Sequence, residues 1–225
     1  SRTPQLSPLS EAPATSVDNR LAHAKQLMEE SRLVEALAQL DEMVKAHPKR
    51  LDVRCVRVKC YFMLGRTNAA AAELAEAKAD FPDSADVRCL CAELYFHQAA
   101  FGELDAGLSI QLRLQELNRA VSIDAKHTKA LSSRLRVLLD CGKVAEATKD
   151  LRLLKSLGDD SPDYLIGAAF YEIAVGDPVL GQQLLTLLSR SPDAQVRIWG
   201  HTGMSFYYER CKPSRYKEAI EEMSK

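Results

Sequence analysis

The sequence lacks long apolar runs, a surplus of either charge, and any recognisable catalytic set. No stretch approaches the roughly 18 consecutive apolar residues of a membrane-spanning helix, so none is expected. Lys and Arg number 30 against 31 Asp and Glu, which leaves no global attraction for nucleic acid or an acidic membrane. There is no Gly-rich phosphate loop, no Gly-x-Ser-x-Gly and no His-Glu-x-x-His. The five histidines (His23, His47, His97, His127, His201) are scattered, and no pair has ligand spacing on one helical face. An enzyme, a metal site and a cofactor are therefore not expected.

Cysteine is sparse as well. The six residues are Cys55, Cys60, Cys89, Cys91, Cys141 and Cys211. Five fall within predicted helices, which fits buried thiols in a reducing, cytoplasmic compartment better than a disulfide framework. Cys89 and Cys91 stand two apart, about 200° around a helix, so one ion could not easily take both.

What the sequence has is repetition. Residues 51–55 read Leu-Asp-Val-Arg-Cys and residues 85–89 read Ala-Asp-Val-Arg-Cys, 34 residues apart. Tyr61-Phe62 returns as Tyr95-Phe96 at the same interval, and Pro82, Leu74, Ala70 and Asp52 step back to Pro48, Leu40, Ala36 and Asp18. Apolar spacings of three and four within each unit are helical. The Pro- and Ser-rich stretch 1–16 reads as a flexible lead-in, with no apolar core for a secretory signal. Its start reads as cut from a longer chain.

The clock slips once. The fourth unit begins near 128, 43 residues after the third, nine beyond one period. The surplus lies between about 99 and 117 and includes Leu104, Leu108, Ile110, Leu112 and Leu114. It reads either as a lengthened second helix or as a segment that docks on a partner or a second copy. The period then resumes, with Leu131, Gly142, Leu151 and Leu154 returning as Leu165, Gly176, Leu185 and Leu188. Ser161-Pro162 and Ser191-Pro192 each read as a helix start.

A period of 34 with a small, aromatic, alanine and proline pattern resembles the tetratricopeptide repeat, two antiparallel helices per unit. The resemblance implies an all-α, right-handed superhelical solenoid of about six helix pairs with one enlarged repeat in the middle. The units fall near 17–50, 51–84, 85–127, 128–161, 162–195 and 196–225. Trp199, Gly203 and Phe206 match the family's Trp, small and aromatic positions, whereas the first unit has Arg20 and His23 where the family prefers Trp and Leu. The last unit stops inside its second helix, which reads as a truncation.

In this family the first helices line a concave surface through positions 2, 5, 9 and 12 of each unit. Carried over, these supply Lys25, Lys59, Phe62, Phe96, Lys129, Arg136, Phe170, Arg197 and Tyr207 as groove candidates. The fourth unit's full set is Lys129, Ser132, Arg136 and Leu139. Aromatic steps among positive charges suit an extended or helical peptide with apolar and acidic side chains. One subgroup grips the C-terminal carboxylate of Hsp70 or Hsp90. The matching positions here hold Leu21, Lys25, Val56, Asp86 and Leu90, so that clamp is not expected. The resemblance therefore implies a non-enzymatic scaffold or adaptor for a partner protein. One alternative is a structural subunit using the convex face and the 99–117 segment, as a homo-oligomer or in a larger assembly. Another is the recognition arm of a larger co-chaperone, of J-domain type, or enzyme.

Overall fold

The structure, a computed structural model, describes residues 16–211. It is all-helical there. The helices are α1 (Val17–Glu29), α2 (Leu33–Ala46), α3 (Leu51–Met63), α4 (Thr67–Asp80), α5 (Ala85–Ala100) and α6 (Ala106–Ile123). They continue as α7 (Thr128–Asp140), α8 (Val144–Leu157), α9 (Pro162–Ala174), α10 (Pro178–Leu188) and α11 (Ala194–Cys211). Five hairpins and one further helix are thus described. The lead-in before Ser16 and the end of the sixth unit lie outside the described residues.

Odd-numbered helices touch one another along the array, whereas the substantial contacts of even-numbered helices are all with odd-numbered ones. The odd set therefore forms one layer and the even set the other. The core has no single centre. It falls into five clusters, each gathered where neighbouring units meet, as expected of stacked repeats. Leu40 and Val53 belong to the first cluster, and Leu74 and Val87 to the next.

Each hairpin closes on a small residue near the start of its second helix. Ala36, Ala70 and Ala147 have no exposed surface, and Gly181 stands at the corresponding place. A Cβ on Gly181 would sit 2.9 Å from the carbonyl oxygen of Ala169, so the helices approach closely there.

Three arginines recur at the 34-residue interval on the first helices: Arg20, Arg54 and Arg88. Each ties its helix to the second helix of its own unit. Arg20 pairs with Glu42 at 2.9 Å near the surface, Arg54 with buried Glu73 at 2.6 Å, and Arg88 with buried Glu116 at 3.1 Å. Arg54 also reaches Asp80, and Arg57 shares Glu73, so the buried carboxylate is held by two guanidiniums.

The enlarged third unit gains three residues in α5, two in the following turn and four in α6, relative to the second unit. Registered from its end, α6 repeats α4. Glu116, Leu117 and Ala120 stand 43 residues after Glu73, Leu74 and Ala77, and all six are buried. Arg113 therefore occupies the place of Ala70. A guanidinium cannot enter that tight contact. The close approach is made one turn earlier by buried Ser109, whose hydroxyl donates to the carbonyl of Tyr95 at 2.8 Å.

Capping accounts for most helix starts. Ser16, Ser84, Asp105, Ser161 and Asp177 each accept a backbone N–H of the first turn. The expected start at Ser191-Pro192 is corrected. Asp193 accepts from the Val196 N–H at 3.0 Å, and α11 begins at Ala194. The carboxylate two residues on supplies the cap that the Ser191 hydroxyl was expected to give.

The first four hairpin turns share one left-handed position, held by Ser31, Gly65, Gly102 and Gly142 with φ of 61°, 66°, 73° and 69°. In the first two, the next amide bonds back five residues, Arg32 to Leu27 at 2.8 Å and Arg66 to Tyr61 at 2.9 Å. Ser31 alone carries a Cβ into that conformation. Ser31→Gly is therefore expected to raise the unfolding free energy by about 1 kcal/mol, measured by chemical denaturation followed by circular dichroism.

Candidate protein-interaction groove

The inward layer of odd helices bounds a cavity of about 430 Å³ that runs from the second unit to α11. Five of the nine sequence candidates line it: Lys59, Phe96, Lys129, Arg136 and Phe170. All four inward positions of the fourth unit are present, Lys129, Ser132, Arg136 and Leu139. Helical spacing explains this, because positions 2, 5, 9 and 12 fall on one face of α7.

Four candidates do not line the cavity. Lys25 is exposed on α1. Phe62 is 6% exposed, covered by the His97 ring of α5 at 4.7 Å. Tyr207 is 3% exposed and packs in the last core cluster, edge-on to Tyr208 at 5.5 Å. Arg197 donates to the carbonyls of Ser191 and Pro192 at 2.9 and 2.7 Å, closing the turn before its helix. Phe62 and Tyr207 share the inward register with Phe96, yet neighbouring elements bury them. Phe96 is left 43% exposed.

Two further groups belong to the cavity. The Arg113 guanidinium lies 5.1 Å from the centre of the Phe96 ring. Trp199 lies beside Arg136, whose guanidinium is 3.8 Å from the indole centre and 5.5 Å from that of Phe170. Such stacking covers the faces of an arginine and leaves its N–H edge for a planar acceptor. Arg113 sits on a second helix, outside the first-helix frame. The sequence carried a signal for it, since Arg119–Asp124 resembles the usual end of a second helix but arrives late.

The cations here are poorly solvated. Burial holds Lys59 below the ordinary lysine range, with the charge of Lys129 acting in the same sense. Burial also lowers Arg113 and pushes Arg136 down to about 10, the Arg113 charge adding to the latter. At neutral pH Arg136 still carries its charge. Lys129 Nζ stands 3.7 Å from the Glu93 carboxylate. Cys89 lines the cavity, while Cys91 packs in the cluster with Leu74, so the two thiols serve different surfaces.

Comparison with known proteins agrees with this geometry. A tetratricopeptide-repeat family model matches residues 27–100. The chain resembles TTC0263, a thermophilic TPR protein of Thermus thermophilus. Identity is 18% and the TM-score 0.67, over 83% of this chain and 98% of that one. It resembles PilF of Pseudomonas aeruginosa at 15% identity and TM-score 0.58, over 91% and 96%. It also resembles a human IFIT1 dimer with PPP-AAAA at 14% and 0.60, over 92% of this chain and 53% of that one. No curated protein sequence matches significantly. The fold is an all-α repeat solenoid, and residues 27–100, about a third of the chain, match the tetratricopeptide-repeat class. That class points to a protein-interaction or scaffold role. No described helix is long and apolar enough to cross a membrane.

His97, packed among Phe62, Phe96 and Phe101, gives the fold a pH dependence. Burial lowers its pKa, opposed by the Glu93 charge. The unfolded chain then binds the proton more readily, so acidification through the ordinary imidazole value, about 6.5, favours unfolding. Between about pH 8 and 5.5 the thermal midpoint is expected to fall further for the wild type than for His97→Gln, measured by circular dichroism.

Proposed function

We propose that the chain is a scaffold that binds a segment of a partner protein in its concave groove. The segment is extended or helical, with apolar anchors and acidic side chains. The observation that carries the reading is the cavity in the odd-helix layer, where Phe96, Phe170 and Trp199 alternate with Lys59, Lys129 and Arg136. Rigid aromatic surface beside partly desolvated cations is where peptide binding energy concentrates. The four described cysteines other than exposed Cys141 are buried or half-buried free thiols, which supports a reducing compartment.

A second reading, a structural subunit touching others through its convex face, draws support from α10. There Val179, Leu180 and Leu187 stand exposed. The enlarged unit adds little to it. Of its apolar residues Phe101 and Leu108 are exposed, while Leu104, Ile110, Leu112 and Leu114 are half-buried against the chain itself. A sedimentation measurement separates the two readings, since a strict monomer that binds peptide disfavours assembly.

The groove is tested by replacing Phe96 and Lys59 together with alanine. Peptide affinity is expected to fall at least about tenfold, with helicity unchanged by circular dichroism. Unchanged affinity in a folded variant would remove the groove from the interaction.

A further inference from the structure

The chain neutralises most of its buried and half-buried arginines. Arg54 and Arg57 meet Glu73, Arg88 meets Glu116, and Arg134 meets Asp150 at 2.6 Å. Arg113 and Arg136 differ. Among the described residues neither has a carboxylate within ion-pair reach, and both face one cavity. Among the described residues Arg136 makes a single hydrogen bond, to the Ser133 hydroxyl at 3.3 Å, and its buried Nε has no partner. A guanidinium pair in a low-dielectric cleft with no carboxylate in direct contact is costly, since the more distant charges of Glu93, Asp140 and Asp163 offset its desolvation only in part. At the Arg113 position the neighbouring units carry alanine or glycine, which close the hairpin without charge.

Sign and size of the charge indicate the occupant. The cations lining the cavity are Lys59, Arg113, Lys129 and Arg136, and the anions are Glu93, Asp140 and Asp163. Among the described residues the surplus is one positive charge. That matches one carboxylate better than a dianionic phosphate. Rings at Phe96, Phe170 and Trp199 flank the guanidiniums, so residues beside the carboxylate would be apolar.

We propose that this cavity seats one Asp or Glu side chain of an acidic partner peptide between the guanidiniums of Arg113 and Arg136, with apolar neighbours on the flanking rings. The proposal rests on the groove reading above and names its specificity determinant. It also gives the enlarged repeat a task, because its second helix delivers Arg113 where other units hold a small residue.

The test is selection from a phage-displayed random peptide library on the whole chain, followed by titration of the selected synthetic peptides. Binding is read through Trp199, the single tryptophan. Arg113→Ala serves as the matched variant, because it restores the residue that other units carry and so retains the fold, checked by circular dichroism. Selected peptides are expected to carry Asp or Glu beside an aromatic or aliphatic residue. Exchange of that acid for its amide should weaken binding at least about tenfold in the wild type. The same exchange should cost less than about threefold in the Arg113→Ala protein, as a double-mutant cycle requires. Equal binding of acid and amide peptides that still depend on Phe96 and Lys59 overturns the carboxylate seat and leaves the groove standing. Tighter binding of a phosphoserine counterpart than of the acid also overturns it. A selection yielding nothing that the Phe96 and Lys59 exchange weakens removes seat and groove together.

Discussion

Close contact between the two helices of each hairpin is the constraint on which the array depends. Ala36, Ala70, Ala147 and Gly181 let the paired helices meet with almost no side chain between them. That contact brings the leucines of both helices into one cluster with those of the next unit. Each cluster is small, and none would hold a hairpin alone. Stability accumulates by stacking, and the curved inner layer of odd helices is its geometric result.

The third unit shows how this constraint can be bent to a purpose. Its hairpin makes its closest contact at Ser109, so the former alanine position is free to carry Arg113. The extra length divides between both helices and the turn rather than forming a loop, and its apolar residues are mostly covered. His97, which stands on α5 at the place of Met63 one period earlier, lies over Phe62. The ring of the third unit thus closes an aromatic site in the second, and the enlargement of α6 places a cationic one in the third.

Much of this was legible in the sequence. The helix starts at Leu51 and Ala85 follow from the repeated Asp-Val-Arg-Cys, and the slip of nine residues located the enlarged unit. The inward face of α7 was readable because it depends on one helix and its spacing. Phe62 and Tyr207 were not readable, since their burial is decided by residues on other elements, His97 and the last core cluster. Arg197 was misplaced for a local reason, because two turn carbonyls compete for its guanidinium. Arg113 needed the register of α6, which becomes evident only when Glu116 is seen to repeat the pairing role of Glu73.

The division of the core into five separate parcels has a mechanical consequence. Damage at Leu40 would loosen the seam between the first two hairpins and travel little further, because only the half-buried Tyr61 is shared with the next parcel and nothing with the last three. Such an architecture tolerates local faults as a chain of independent links does. The inner wall from Phe96 onward can keep its shape while the opposite end frays and re-forms.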